Sequence, residues 1–243
     1  MTEDIGIVIS ELDYGETSKI INVLTRSYGV IGMHAKGART MKSPLRSVST
    51  KLTYGKFYFR YHKDKLSILT NVDALNSLKN IKKDITKISY TSYLIELASQ
   101  VVKQNNEYEK IFDLLINTIL KIEEGFDPLV LTNILELKYL EFLGALPILD
   151  ACSVCGKTTN IATISSFKGG YLCSDCLKDE KIVSEKTIKL IRMFYYVDIS
   201  KIEKLDISDS VKNEINMFLD DYYDRYTGLY LNTKSFIKNL NKL

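Results

Sequence analysis

Four cysteines, Cys152, Cys155, Cys173 and Cys176, are the only thiols in the chain, and they read C-x2-C, seventeen residues, C-x2-C. Two residues between paired thiols let both sulfurs turn toward one point. A linker of about 15 to 20 residues is long enough for a hairpin that returns the second pair to complete a tetrahedron. Gly156 follows the first pair, where a tight knuckle favours a residue tolerant of positive φ. Lys168-Gly169-Gly170 supplies a turn between Ile161–Phe167 and Tyr171–Cys173. The spacing therefore predicts one zinc ion held by all four thiolates. Two disulfides are the rival arrangement. The chain begins Met1-Thr2-Glu3-Asp4, without a basic, apolar leader, so reduced thiols and a cytoplasmic protein are expected. Four thiolates leave no open coordination position, so the metal is expected to hold structure rather than activate water.

The second chemical signal is charge. The formal net charge of +3 divides unevenly. Between Lys36 and Lys65 stand nine cations (Lys36, Arg39, Lys42, Arg46, Lys51, Lys56, Arg60, Lys63 and Lys65) against Asp64 alone, a local net of +8, so the remaining residues sum to −5. Clustered like charges repel unless a polyanion neutralises them. Lys36, Arg39, Lys42 and Arg46 recur at three- to four-residue intervals in a Gly-, Ser- and Pro-containing stretch with no helical stripe, which reads as a flexible phosphate-binding loop. In the strand that follows, alternation puts Phe57, Phe59 and Tyr61 on a core face. It puts Lys56, Tyr58, Arg60 and His62 on the other, where cations and an aromatic suit unpaired bases. The expected DNA-binding set is Lys36, Arg39, Lys42, Arg46, Lys51, Lys56, Tyr58 and Arg60.

The elements that must position these groups change character along the chain. Up to about residue 75, Ile5, Ile7 and Ile9 alternate with Gly6, Val8 and Ser10. Ile20–Thr25, Val30–Ala35, Leu52–His62 and Leu66–Val72 complete about five strands, few enough to close as an OB-like barrel. Ile111, Leu114, Leu115, Ile119 and Ile122 then share one helical face. Asp127-Pro128 starts an apolar helix over Leu129–Leu143, which Gly144 and Pro147 end, and Lys186–Tyr196 and Val211–Tyr226 are helical, with Ser184 and Ser208 or Ser210 as caps. The expected class is α+β: an OB-fold domain over 1–78, a helical domain over 79–149 and 179–243, and a zinc hairpin inserted at 150–178. No apolar run reaches a bilayer span, so no membrane association is expected.

Catalytic signals are poor. His34 and His62 stand outside any H-E-x-x-H pattern, and Gly37 through Lys42-Ser43 lacks the second glycine of a phosphate loop. Glu123-Glu124 and Asp220-Asp221 are neighbours that diverge on a helix and read as solvated. Tyr222, Tyr223, Tyr226 and Tyr230 read as helix packing.

The segment Ala35-Lys36-Gly37-Ala38-Arg39 with Lys42-Ser43 joins two later stretches. One is Leu140-Glu141-Phe142-Leu143-Gly144 with Pro147 leading into Cys152-Ser153-Val154-Cys155-Gly156, and the other is Gly169-Gly170-Tyr171-Leu172-Cys173-Ser174-Asp175-Cys176. Together they resemble the RecO family of bacterial DNA repair proteins, and Arg225-Tyr226 and Leu231-Asn232-Thr233-Lys234-Ser235 resemble its closing segment. The resemblance runs through the whole chain in order. It implies an OB fold, a helical domain and a zinc hairpin, although some members lack the cysteines. It implies a non-enzymatic mediator that binds single- and double-stranded DNA, anneals complementary strands and works with RecR to place RecA on strands coated by single-strand DNA-binding protein. It places the basic-loop cations at Lys36, Arg39, Lys42 and Arg46. It also implies a site on the helical domain for the acidic, phenylalanine-ended tail of single-strand DNA-binding protein, for which Lys138 is the candidate residue. An RNA-binding OB and zinc-ribbon factor is the alternative function. A zinc hydrolase needs an open metal position that four thiolates deny.

Overall fold

The computed structural model describes residues 1–234 and 237. Ser235 and the end of the expected 179–243 segment lie outside the described residues. Five strands, β1 (Thr2–Tyr14), β2 (Ser18–Thr25), β3 (Gly29–Ala35), β4 (Tyr54–Arg60) and β5 (Ser67–Asn76), close a barrel in the order β1-β2-β3-β5-β4. Closure depends on β1 serving two neighbours. Its first half pairs with β4, from Thr2↔Phe59 to Ile7↔Tyr54, and its second half runs on with β2 to Tyr14↔Ser18, past a register shift between Val8 and Ser10. The alternating apolar residues fill the interior, where Val8, Ile21, Val23, Met33, Phe57, Phe59, Leu69 and Val72 form one buried cluster. Tyr61 departs from the expected core face. It lies beyond the end of β4 and is exposed.

Three helices follow: α1 (Lys79–Lys82), α2 (Ile85–Lys103) and α3 (Tyr108–Glu124). Arg26, just past β2, forks onto Asp113 of α3 at 2.8 and 2.9 Å and reaches Glu109 at 3.1 Å. Glu123 is not merely solvated: its carboxylate accepts the N–H groups of Asn80 and Ile81 at 2.9 and 2.8 Å.

The remainder comprises α4 (Pro128–Phe142), the hairpin strands β6 (Ile161–Ser165) and β7 (Gly170–Cys173), α5 (Glu185–Tyr196) and α6 (Asp209–Tyr226). Asp127 caps α4 by accepting from the N–H groups of Leu129 and Val130, with proline at the first position. Ser184 caps α5 through the N–H of Thr187 at 3.1 Å, whereas Ser208 stands at the start of α6 without a side-chain bond. Helix α4 is buried over most of its circumference and packs on α5 and α6, with the Tyr223 hydroxyl donating to the Glu136 carbonyl at 2.8 Å. Tyr222 and Tyr223 are core, but Tyr226 and Tyr230 are exposed. The chain divides into two compact units, Met1–Glu123 with the tail from Thr233, and Glu124–Asn232. Among the described residues no helix is long and apolar enough to cross a membrane.

Candidate nucleic-acid interface and metal centre

Residues 36–53, between β3 and β4, form linked turns rather than a flexible loop. Thr40 N–H donates to Gly37 O at 3.0 Å, Ser43 to Thr40 and Arg46 to Ser43 at 3.2 Å, and Ser49 to Leu45 at 3.0 Å. Three apolar side chains explain the order: Ala38, Leu45 and Leu52 are buried, and Ala38 and Leu45 join the barrel core, with Val48 packed against it. The cations flanking these anchors, Lys36, Arg39, Lys42, Arg46 and Lys51, are exposed. A pinned cation loses little conformational freedom when a phosphate arrives, so less of its attraction is spent on ordering.

The candidate cations are not equivalent. Lys36, Lys42, Arg46, Lys51 and Arg60 make no ion pair among the described residues, so their charge is available. Arg39 is partly committed: its guanidinium meets Asp13 at 3.3 Å and the Gly15 carbonyl at 3.2 Å. Lys56 is bound to Glu3 at 2.7 Å, and that hydrogen bond, outweighing desolvation, raises its pKa. Tyr58 lies 5.5 Å from the Lys56 ammonium, and a hydrogen bond with Asp73 is the first cause of its raised pKa. The expected open face of β4 thus carries an internal network of Glu3, Lys56, Tyr58 and Asp73. One aromatic arrangement escaped the sequence reading. Tyr14, at the end of β1, sets its ring edge-on to His34 of β3, with centroids 5.5 Å apart and planes at 82°. Strand alternation was the available signal, but the pair is non-local.

The cysteine hairpin assembles as its spacing predicts. The four Sγ atoms all lie within 4.8 Å of one another, with Cys155 and Cys173 at 3.6 Å, and all four thiols are free. Sulfurs at about 2.3 Å from a zinc ion form a tetrahedron with edges of about 3.8 Å, so the donor set and spacing fit that ion. Each C-x2-C forms a knuckle: Gly156 N–H returns to Cys152 O at 2.9 Å with φ of 76°, and Cys176 N–H to Cys173 O at 3.1 Å. Burial pushes the Cys152 thiol up, but backbone hydrogen bonds at Cys155, Cys173 and Val154 outweigh it and bring it to about 6. Cys176 is pushed up to about 12, first by its hydrogen bond with Cys155 and then by desolvation. Metal binds the thiolate form, which the backbone hydrogen bonds around Cys152 favour.

Lys138 stands apart from both features. Its ammonium neither reaches a carboxylate directly nor projects freely into water; it donates to the Tyr195 carbonyl, in the last turn of α5, at 2.6 Å. Half-buried there, its pKa is lowered by desolvation, against the opposing fields of Asp198 and Glu141. A cation at a helix C-terminus satisfies a carbonyl that has no intrahelical partner.

Comparison with known proteins agrees with this architecture. Residues 1–78 match the family model described as Recombination protein O N terminal, and 82–235 match Recombination protein O C terminal. Among curated relatives, DNA repair protein RecO of Bacillus cereus (strain AH187), of Bacillus anthracis and of Bacillus mycoides (strain KBAB4) are each 34% identical over 240 residues. That span is 98% of this chain and 96% of each relative.

Proposed function

This chain belongs to the RecO family of DNA repair proteins, and on that premise we propose that it is a non-enzymatic recombination mediator that binds single- and double-stranded DNA through its barrel. The observation that carries this reading is the pinned turn segment 36–53, whose exposed Lys36, Lys42 and Arg46 have no carboxylate partner among the described residues. Such cations neutralise phosphates and release counterions without reading sequence. Strand annealing follows from the same chemistry. Cations draw two backbones together while the bases stay free to pair, and no nucleotide is consumed. Lys51 and Arg60 extend the set. Lys56 and Tyr58 join it only if DNA displaces Glu3 and Asp73, and Arg39 only if it displaces Asp13.

Barrel residues 1–78 act as the DNA-binding domain in this reading, with 79–149 and 179–243 as the helical part and 150–178 as the zinc hairpin. Cys152, Cys155, Cys173 and Cys176 hold one structural zinc. Family membership supports RecR and the tail of single-strand DNA-binding protein as partners, with RecA loading as the outcome and the cytoplasm as the location. Lys138 belongs to the tail site only if the peptide carboxylate replaces the Tyr195 carbonyl, so Lys138→Ala weakens that peptide in calorimetry if the assignment is right. The direct test of the mediator reading is annealing of complementary strands without nucleotide, followed by recovery of RecR and single-strand DNA-binding protein on the immobilised chain. Failure to anneal refutes it.

A further inference from the structure

Helix α6 carries Glu214, Met217, Phe218 and Asp221 at i, i+3, i+4 and i+7, one stripe with a carboxylate at each end and apolar side chains between them. Seven residues at a rise of about 1.5 Å set the two ends about 10 Å apart along the axis. Inside the unit Glu124–Asn232 this stripe walls a groove of about 370 Å³, faced by Ile164 of β6 and by Glu180 and Val183 of the segment that follows the cysteines. The Thr163 hydroxyl donates to the Lys181 carbonyl at 2.6 Å, which fastens that segment to β6 and fixes the groove's width. Phe218 is buried and makes the floor, whereas Met217 is 67% exposed at the lip.

Charge decides what this apolar surface receives. Three carboxylates line the groove against one ammonium, that of Lys181, a net of −2. Arg225 binds Asp221 at 2.8 Å, but Glu180 and Glu214 make no ion pair among the described residues. The Lys178 N–H, at 3.0 Å, holds the Glu180 carboxyl below the usual range, and the Thr187 hydroxyl does the same for Glu214. Both therefore stay ionised at neutral pH. Fixed carboxylates around an apolar floor repel an acidic ligand and complement an apolar side chain that stands between cations. We propose that this groove docks a basic segment of a partner protein, an apolar side chain entering over Met217 and Phe218 while flanking lysine or arginine residues pair with Glu180 and Glu214. The same charges exclude an acidic tail, so the site is distinct from the one assigned around Lys138. It goes beyond the DNA-binding reading and does not depend on it, because no residue of the groove belongs to the barrel.

The probe is the amidated peptide GRKLKRG, labelled with fluorescein at its N-terminus and titrated with the full chain in the absence of DNA. Its anisotropy is expected to rise saturably, whereas the charge-reversed peptide GEELEEG does not bind. Met217→Asp, at an exposed position that the fold does not need, weakens the basic peptide about tenfold, and Glu180→Lys weakens it about fivefold. Glu203→Lys makes the same charge change on an exposed residue outside the groove and costs less than about twofold. No saturable binding to the wild type, equal losses in Glu203→Lys and Glu180→Lys, or unchanged affinity in Met217→Asp would each overturn the proposal. A concentration-dependent dimer that Met217→Asp abolishes, with no peptide bound, would give the groove to a second copy of the chain and overturn it too. DNA affinity of the wild type is measured separately, so failure of the peptide to bind leaves the DNA-binding reading standing, and failure of DNA to bind leaves this site standing.

Discussion

Gly170 is where the cysteine hairpin is fastened, and replacing it with alanine tests that attachment quantitatively. It bridges Ile148 in parallel register, flanked by Ile148 N–H to Gly169 O and Tyr171 N–H to Ile148 O, both 2.9 Å. A Cβ on Gly170, whose φ is 154°, would lie 2.3 Å from Ile148 O and 2.7 Å from Ile148 N. Both are backbone atoms, so no rotamer change relieves the clash and β7 must move by about 1 Å to restore van der Waals contact. That movement breaks both flanking bonds, at about 1–3 kcal/mol each where a buried group is left unpaired. The unfavourable φ adds about 1–3 kcal/mol, for a total of about 3–9 kcal/mol. Gly169→Ala is the control. Its φ of 75° is also unfavourable, but the nearest atom to its Cβ is the Tyr226 hydroxyl at 3.8 Å, so it pays only the left-handed penalty of about 1–2 kcal/mol. Gly170→Ala is expected to melt well below Gly169→Ala and to lose zinc to a chelator faster, because Cys173 lies at the other end of the same short strand. Equal melting temperatures for the two variants would refute the reasoning.

Asn133 is fully buried in α4, and neither end of its amide has a hydrogen-bond partner among the described residues. Asn133→Leu, of similar size, is therefore expected to stabilise by about 1–2 kcal/mol, read as a higher melting temperature; a lower one contradicts the assignment. Glu214 accepts from the Thr187 hydroxyl and the Ser184 N–H, and the Thr187 bond, outweighing desolvation, holds its carboxyl below the usual range. Its stabilisation is present above the unfolded value of about 4.3 and is lost as pH falls through the lowered folded value. Glu214→Gln should accordingly flatten the acid limb of the melting temperature plotted against pH, and an unchanged limb contradicts it.

What the sequence made legible was local. Strand alternation in 2–35 and 54–76, the Asp127-Pro128 start and the cysteine spacing each act over a few residues, and each element formed near its expected place. Helix α2 went unnamed because its buried positions, among them Ser89, Tyr90, Thr91, Tyr93 and Leu94, run almost continuously around the helix. No stripe is left to read, although Asp84 was available as its cap. The candidate site was legible in charge but not in pairing. That Arg39 meets Asp13, that Lys56 meets Glu3, and that Lys138 finds a carbonyl 57 residues away depends on strand register and helix packing. The same non-local register hid the Tyr14–His34 pair. The turn segment 36–53 looked flexible because its anchors, Ala38, Leu45 and Leu52, are single apolar residues seven positions apart, too sparse to read as strand alternation or a helical stripe.

The central claim, that phosphates dock on the pinned cations of this segment, is tested most directly by the salt dependence of DNA affinity. Each phosphate contact contributes about −0.7 for single strands, or −0.9 for duplex, to the slope of log affinity against log salt. Lys36→Glu, Lys42→Glu and Arg46→Glu combined are expected to remove most binding and make the single-strand slope shallower by about 2. Arg39→Ala should change it less than Lys42→Ala, because Asp13 already holds part of that charge. A triple variant that keeps the wild-type slope and affinity, with its fold intact by thermal unfolding, would contradict the account.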